Sequence, residues 1–252
     1  MSIALITGAT SGFGKAIALK FAEHGYDVII AGRREERLNQ LEHIIKDTYD
    51  VKVFSLCFDV RDKIKTEEEL NALPHDWKEV DVLVNNAGLA SGLSTIQDGD
   101  INDWELMIDT NVKGLLYVSR TVIPWMVKRN KGHIINIGSI AGKEVYPKGN
   151  VYCATKHAVD AISKAMRIDM LPHGIKVTAI HPGAAETEFS LVRFKGDADK
   201  AKQVYNGIDP LVAEDIAEVA YFAASRSKHV VLNDIVITPL AQAAAAYVER
   251  KV

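Results

Sequence analysis

Residues 3–14 read IALITGATSGFG, and this stretch decides the fold. Its first five residues form a short apolar run, which is typical of a strand buried on both faces of a parallel sheet. The glycines that follow indicate a tight turn. Residues 13–23 then place Ile17 and Phe21 on one side of a helix that Gly25 ends. A strand, a glycine-rich turn and a helix in succession predict the first unit of an α/β fold.

The same alternation continues along the chain. Apolar runs predict further strands, helical periodicity predicts further helices, and residues 184–210 form a long irregular insert. The strands are expected at 28–31, 51–56, 81–84, 133–137, 175–180 and 235–237, and the helices at 35–47, 63–72, 104–129, 152–171 and 214–224. Strands that alternate with helices indicate βαβ units. We therefore predict one α/β domain over residues 1–252, a doubly wound parallel sheet of about seven strands with helices on both faces.

The composition is that of a globular protein with a nearly balanced charge. The chain has 252 residues, 48% of them apolar, and a formal net charge of -3. One domain with a large core is therefore expected, and neither nucleic acid nor a membrane is favoured as a partner. The first seven residues are too few for a signal-peptide core, and no apolar run reaches the roughly 20 residues that span a bilayer. Cys57 and Cys153 suggest no disulfide, and no cysteine or histidine cluster has zinc-ligand spacing. We expect a cytoplasmic protein without a metal.

The turn after the first strand is a candidate phosphate-binding loop. Its glycines let the backbone approach a pyrophosphate closely, and the start of the next helix supplies N–H donors and positive potential. An ordinary glycine-rich turn is the alternative, but the position between a strand and a helix favours a nucleotide site. The predicted nucleotide contacts in this turn are Gly8, Thr10, Ser11, Gly12, Phe13 and Gly14.

The end of the second strand indicates which nucleotide binds. An NAD site has an acid there to accept from the ribose 2′-OH, whereas a 2′-phosphate requires arginine. This strand ends in Gly32, Arg33 and Arg34, with no acid at its tip. Two cations at the start of a helix also oppose the helix dipole, so a solvated basic pair explains them poorly. We predict NADP(H), with Arg33 and Arg34 on the phosphate.

Two further strand ends complete the predicted cofactor site. Asp59 and Val60 close the third strand, and Asp59 would accept from the adenine amino group; a turn-capping aspartate is the alternative. Asn86, Ala87 and Gly88 follow the fourth strand. They would bring the backbone close to the adenosine ribose, unless they form a plain turn.

A tyrosine and a lysine four residues apart form the candidate catalytic pair. Tyr152 and Lys156 share one face of a predicted helix, which sets a phenol beside an ammonium. Alone, such a pair is more often a solvated surface pair. Ser139 ends the fifth strand thirteen residues before Tyr152, at the same edge of the sheet. Asn111 lies within an apolar helix, where an amide is costly unless it is hydrogen-bonded, so its role is either structural or functional.

Together these motifs resemble the short-chain dehydrogenase/reductase family. The resemblance covers essentially the whole chain and implies a Rossmann-type sheet, a nicotinamide cofactor, a homotetramer and a catalytic set of Asn111, Ser139, Tyr152 and Lys156. It is carried by the three spaced glycines of residues 8–14, by residues 85–88 (NNAG), by those four polar residues, and by Pro182 and Gly183.

The resemblance also implies a role for each residue. Tyr152 would be the general acid in reduction and the general base in oxidation, with its pKa lowered from about 10 by Lys156 and by the positive nicotinamide. Lys156 would also hold the nicotinamide ribose. Ser139 would bind the substrate oxygen and stabilise the developing alkoxide, and Asn111 would position a water that links Lys156 to solvent. The residues that would flank the nicotinamide and its phosphates are Pro182, Gly183 and Thr187.

Other stretches resemble one branch of this family, the NADP-dependent 3-hydroxy acid (serine/allo-threonine) dehydrogenases and the sulfoacetaldehyde reductases. They include residues 104–111 (WELMIDTN), 133–139 (HIINIGS) and 187–197 (TEFSLVRFKGD). Substrates of this branch are short and carry a distal anion. Arg193 would receive that anion by a bidentate contact, and Tyr146 would add a hydroxyl contact. A surface cation on the insert is the alternative for Arg193.

Three hypotheses about function follow. The first is an NADP(H)-dependent oxidoreductase that interconverts a short hydroxy acid, such as serine or 3-hydroxypropionate, and its carbonyl form. The second is a sulfoacetaldehyde reductase that forms isethionate. The third, a non-catalytic NADPH-binding regulator, would not need the phenol and the lysine together. Residues 184–210 are predicted to be a substrate lid that orders on cofactor binding, and Gln242, in the apolar tail, is predicted to reach a neighbouring subunit's site.

Overall fold

The computed structural model describes residues 2–251, so the two end residues of the predicted 1–252 domain lie outside the described residues. The strands of the main sheet are β1 (Ser2–Thr7), β2 (Tyr26–Gly32), β3 (Val53–Cys57), β4 (Val80–Asn85), β5 (His133–Ile137), β6 (Lys176–Pro182) and β7 (Asp234–Ile237). All pair in parallel, in the order β3-β2-β1-β4-β5-β6-β7. The predicted doubly wound parallel sheet is confirmed. Its strand order reverses between β1 and β4, the switch point where such sheets bind ligands.

Helices cover both faces of this sheet. They are α1 (Gly12–Glu23), α2 (Glu35–Thr48), α3 (Lys63–Asn71), α4 (Ile101–Ile108), α5 (Leu115–Arg129), α6 (Asn150–Met170), α7 (Glu188–Arg193), α8 (Ala198–Gln203) and α9 (Ala213–Ala224). Ile6 and Ile30 face one side, where Phe21 of α1, Leu41 of α2 and Ile216 of α9 cover them. Side chains of α3, α5 and α6 cover the opposite face. Both faces are therefore buried, which explains why the strands read as unbroken apolar runs.

The helix predicted at 104–129 is not one regular helix. It consists of α4, a wide π-helical segment at residues 109–114, and α5. The buried Asn111 lies in the wide segment, and its side chain hydrogen-bonds the backbone N–H and C=O of Leu89. A side chain that bonds backbone outside its own helix favours a local widening of the turn, which helical periodicity alone does not predict.

The chain also ends differently from the sequence expectation. After β7 it forms an antiparallel hairpin of β8 (Gln242–Ala244) and β9 (Tyr247–Val248). Ala245 N donates to Glu144, and Lys251 N donates to Gly207 O, so the hairpin is bonded back onto the chain. Strands of two and three residues in an alanine-rich segment carry no clear period, which is why this hairpin was not predicted. No helix within residues 2–251 combines the length and apolarity that crossing a membrane requires.

Buried amides tie the centre of the sheet to the helices on one face. Asn136 of β5 is fully buried, donates to the Ser163 hydroxyl of α6 at 2.9 Å and accepts from the Asn85 amide of β4 at 2.9 Å. The same Asn85 nitrogen donates to the Ser119 hydroxyl of α5 at 2.9 Å. These buried groups bond mainly one another, and Asn85 Oδ1 has no hydrogen-bond partner within the described residues, so losing one of them leaves its neighbours with fewer partners.

Asn136→Ala is expected to lower the free energy of unfolding by about 2–3 kcal/mol, because it leaves a buried amide and a buried hydroxyl short of partners. Urea denaturation followed by circular dichroism measures the change. Asn39→Ala, on the exposed surface of α2, is the matched control and should change stability by less than about 0.5 kcal/mol. Equal losses in the two variants would contradict this account of the network.

Candidate active site

A cavity of about 460 Å³ opens at the carboxyl ends of the strands. This volume is within the usual range for small-molecule sites. Gly14 and Asn111 lie behind its wall, whereas the other predicted site residues border it: Gly8, Thr10, Ser11, Gly12, Phe13, Arg33, Arg34, Asp59, Val60, Asn86, Ala87, Gly88, Ser139, Tyr146, Tyr152, Lys156, Pro182, Gly183, Thr187 and Arg193.

The turn between β1 and α1 requires glycine for two reasons. Gly8 and Gly12 have φ of 67° and 48°, a region that side chains disfavour. At Gly14 the reason is space, since a Cβ there would lie 2.3 Å from the carbonyl oxygen of Gly8. The Asn86 side chain closes the turn by donating to Thr7 O at 2.8 Å. The result is a backbone cradle at a helix N-terminus, which suits a phosphate.

Two arginines face the cavity at the end of β2. Arg34 donates to the Thr10 and Ser11 hydroxyls at 2.9 and 2.8 Å, and its other nitrogen bonds Glu188 at 2.9 Å. Arg33 is held more loosely, 3.7 Å from the Asp59 carboxylate. Both guanidinium groups are about half exposed, and they supply positive charge beside the nucleotide turn.

Asp59 has a partner that the sequence did not indicate. Arg61 donates to Asp59 Oδ2 at 2.9 Å from Nε and 2.6 Å from a terminal nitrogen, and its Nε also lies 3.1 Å from Oδ1. Burial raises the pKa of Asp59, but the hydrogen bonds from Arg61 outweigh it, so the pKa lies below its ordinary value. The carboxylate is therefore ionised and already hydrogen-bonded, and an adenine amino group would have to share it.

Ser139, Tyr152 and Lys156 converge at the other end of the cavity. Ser139 follows β5, and its Oγ accepts from Ala141 N at 3.1 Å. Tyr152 and Lys156 lie on one face of α6, and both are buried. The Lys156 ammonium donates to Ile137 O at 3.0 Å and lies 6.0 Å from the centre of the Tyr152 ring. A hydroxyl, a phenol and an ammonium thus share one side of the site.

Burial dominates the ionisation of both groups on α6. It raises the pKa of Tyr152 well above its ordinary value; the neighbouring Tyr146 adds to this, and the nearby Ser139 hydroxyl and the charge of Arg193 oppose it. Burial also lowers the pKa of Lys156 to about 8. The expectation that Lys156 lowers the pKa of Tyr152 is therefore not met by the chain alone, because desolvation of the phenol exceeds the opposing effects.

Both the nitrogen and the oxygen of the Asn111 amide are hydrogen-bonded. Its amide donates to Leu89 O at 2.8 Å and Thr155 Oγ1 at 3.1 Å, and its carbonyl accepts from Leu89 N at 2.8 Å. A Cβ at Gly88 would lie 3.2 Å from Asn111 Oδ1 and 3.5 Å from Lys156 Nζ. Glycine at position 88 thus leaves space between the two side chains. These hydrogen bonds give Asn111 a structural role, and its part in proton transfer stays a prediction.

Arg193 lies beside the phenol. Its guanidinium carbon is 5.7 Å from the centre of the Tyr152 ring, and one nitrogen donates to the Tyr146 hydroxyl at 2.9 Å. It is therefore a cation on the wall of the cavity rather than a free surface charge. Phe189 packs against Tyr152 at 5.6 Å between ring centres and adds one apolar side chain to this polar end of the site.

Gln242 contacts its own chain in the described residues, and its predicted reach to a neighbouring subunit's site stays a prediction. It is buried in its own chain and accepts from Ala184 N at 2.7 Å, close to Gly183. Glu188, which borders the cavity and pairs with Arg34, was missed. The available signal was its position just after Thr187, which caps α7 by accepting from Phe189 N.

Comparisons with known proteins agree with this geometry. A family model described as short chain dehydrogenase matches residues 2–197. The NADP-dependent 3-hydroxy acid dehydrogenase YdfG of Salmonella typhi is 48% identical over 96% of this chain and 97% of its own length. Sulfoacetaldehyde reductase 2 of Chromohalobacter salexigens is 43% identical over 97% of each chain. A solved structure, the closed form of serine dehydrogenase complexed with NADP+, is 44% identical, with a TM-score of 0.92 over 99% of this chain and 100% of its own.

The stability of the protein is expected to reveal the state of Lys156. Its pKa falls from 10.5 to about 8 on folding, so between these values the unfolded chain holds a proton that the folded chain has released. The free energy of unfolding therefore rises with pH across this window. Between pH 8 and 10.5, the free energy of unfolding of the wild type should rise by about 3 kcal/mol relative to that of Lys156→Met.

Urea denaturation at several pH values measures this difference. Lys128→Met, an exposed position on α5, is the matched control. If the difference in free energy of unfolding between the wild type and Lys156→Met stays constant from pH 7.5 to 10.5, the pKa of Lys156 is not lowered on folding.

Proposed function

The chain belongs to the short-chain dehydrogenase family, and from this premise we propose that it is an NADP(H)-dependent oxidoreductase that interconverts a short hydroxy acid and its carbonyl form. One observation carries the proposal. The Arg193 cation lies 5.7 Å from the ring of Tyr152, so a receptor for an anion stands beside a proton donor. A substrate with a carboxylate one or two carbons from its hydroxyl fits this pair.

The nucleotide half of the cavity fits an NADP(H) cofactor. Gly14 leaves a cradle that a Cβ would fill, and Gly8 and Gly12 let the backbone turn around it. Arg34, supported by Arg33, would hold the 2′-phosphate, since an arginine fork matches phosphate oxygens. A relative is an NADP-dependent dehydrogenase and a solved structure of a similar enzyme holds NADP+, which supports the same choice. Faster turnover with NADH than with NADPH would overturn it.

The cofactor, when bound, donates or accepts the hydride. In reduction, Tyr152 would give its phenolic proton to the substrate oxygen, and in oxidation it would take the proton back. Ser139 would hydrogen-bond that oxygen and stabilise its negative charge. Because burial raises the pKa of Tyr152, the phenol alone is a poor base at neutral pH, and positive charge close to it would have to favour the phenolate. Lys156 would hold the nicotinamide ribose, with Asn111 behind it.

A second candidate activity is the reduction of sulfoacetaldehyde to isethionate. A relative with that name is 43% identical over 97% of this chain, and a sulfonate suits Arg193 as a carboxylate does. The 3-hydroxy acid is preferred because a 48% identical relative bears that name and a serine dehydrogenase superimposes with a TM-score of 0.92. A non-catalytic NADPH-binding regulator is disfavoured, since binding alone does not require a phenol beside a buried ammonium.

The insert at 184–210 would act as a substrate lid. It contains α7 and α8, it brings Thr187 next to Gly12, and Glu188 pairs with Arg34, so it already contacts the nucleotide turn. The exposed apolar side chains of Ile168 and Leu171, at the end of α6, support an interface with another copy of the chain. The homotetramer itself is proposed from the family resemblance. The proposed partners are a small anionic hydroxy acid or aldehyde and further copies of the chain, in the cytoplasm.

Tyr152→Phe is expected to reduce kcat by at least about 100-fold, because it removes the proton donor without changing the shape of the site. The Kd for NADPH, measured by cofactor fluorescence, should stay within about twofold of the wild-type value. Full turnover in this variant would overturn the mechanism. Binding of NADPH by the wild type without turnover of any hydroxy acid or aldehyde would favour the regulator instead.

Arg193→Met is expected to raise KM about 10- to 100-fold for carboxylate and sulfonate substrates, and to change KM little for a neutral aldehyde of similar length. Steady-state assays with 3-hydroxypropionate, serine, sulfoacetaldehyde and propanal measure this. Arg120→Met, at an exposed position of α5, is the matched control. An equal loss for charged and neutral substrates would show that Arg193 does not receive the anion.

A further inference from the structure

Ser139 begins a short turn that packs against the helix carrying the phenol. Residues 140–142 form one helical turn after Ser139, and Lys143 follows it. Gly142 fits so closely that a Cβ there would lie 2.5 Å from the backbone oxygen of Lys156. The turn from Ser139 to Lys143 therefore has one face on α6, next to the catalytic lysine.

Lys143 bonds the far end of this turn to α6 and to β7. Its ammonium donates to Asp160 Oδ1 at 2.7 Å and to the Asp234 carboxylate. Asp160 follows Tyr152 by eight residues and Lys156 by four, so all three lie on one face of α6. Asp160 is 8% exposed, so its attraction to the Lys143 ammonium is screened less by solvent than that of a surface ion pair.

His181 holds the near end of the turn. It is fully buried, and its Nδ1 lies 3.1 Å from the backbone oxygen of Ser139. A carbonyl oxygen only accepts, so Nδ1 carries the proton in this contact. The other ring nitrogen, Nε2, faces Asp160 at 3.6 Å and Asp234 at 3.5 Å. With the proton on Nδ1, the neutral ring has no hydrogen on Nε2, and this atom makes no hydrogen bond to the part of the chain that the structure describes. His181 therefore bonds the near end of the turn through Nδ1 and only packs beside the two carboxylates.

These carboxylates and the imidazole are also the ligand types of a metal site. Asp160, His181 and Asp234 bring their ligand atoms within 4.8 Å of one another. Here the Lys143 ammonium already lies on both carboxylates. The chain supplies its own cation at this position, and that cation belongs to the segment that carries Ser139.

We propose that Lys143 and Asp160, completed by Asp234 and His181, form a clamp that positions Ser139 against Tyr152. The inference rests on the proposed function, because Ser139 acts on the substrate oxygen only in that reaction. A shift of the turn by about 1 Å is enough to slow such a reaction substantially. The four residues reach the substrate only through Ser139, so they are positioning residues.

Lys143→Met tests the clamp, since it removes the ammonium but keeps most of the side-chain volume. We expect kcat to fall about tenfold, while the Kd for NADPH stays within twofold, because the nucleotide turn is untouched. Lys164→Met is the matched control. Lys164 pairs with the same Asp160 at 2.7 Å, from within α6, but does not belong to the Ser139 turn. Its kcat should stay within about twofold of the wild-type value.

The pH profile separates positioning from a loss of fold. The neighbouring Ser139 hydroxyl lowers the pKa of Tyr152, so a displaced Ser139 should move the pH at which oxidation reaches half its maximal rate upwards. Lys143→Arg should restore both kcat and the profile. The titratable groups that face the phenol are Tyr146, Cys153, Lys156 and Arg193, and every variant keeps them.

Two outcomes would overturn the clamp. One is a kcat and pH profile for Lys143→Met that equal those of Lys164→Met, and the other is a loss that Lys143→Arg does not restore. If Lys143→Met does not fold, Asp234→Asn at the partly exposed side of the clamp takes its place, with a smaller fall in kcat expected and an unchanged kcat contradicting the proposal. Failure of the proposed function would look different, because the wild type itself would then turn over no hydroxy acid or aldehyde.

Discussion

The parallel hydrogen bonding of seven strands is the constraint on which the rest of the structure depends. Parallel pairing points every strand the same way, so six separate turns meet at one edge of the sheet. Such a sheet has to be buried on both faces, and the helices cover both. The cavity is therefore a consequence of topology. The ends of the strands form much of its border, and the helices α6 and α7 add Tyr152, Lys156 and Arg193.

Desolvation then shifts the pKa values of the two ionisable groups of α6 at that edge. The same burial raises the pKa of Tyr152 and lowers the pKa of Lys156, so it favours the neutral form of each. The chain alone thus keeps the phenol protonated, which suits a proton donor in reduction. Oxidation requires the phenolate and therefore depends more strongly on positive charge brought close to the ring.

Sequence patterns predicted those parts of the molecule that depend on local periodicity or on a fixed spacing. The strands, the glycine turn and the shared face of Tyr152 and Lys156 are of this kind. Features set by contacts between distant residues were not predicted. The amide of Asn136 is an example, because nothing in the run HIINI indicates that Ser163 and Asn85 satisfy it. The wide turn around Asn111 depends likewise on the backbone of Leu89.

Arg34 bonds two parts of the protein with one side chain. Its guanidinium contacts Thr10 and Ser11 of the nucleotide turn, and it pairs with Glu188, which Arg37 also contacts. A change of residue 34 intended to alter the preferred nucleotide would therefore also remove a contact of α7. Cofactor preference and access to the substrate end are not separately adjustable here, and an engineer who redesigns one has to rebuild the other.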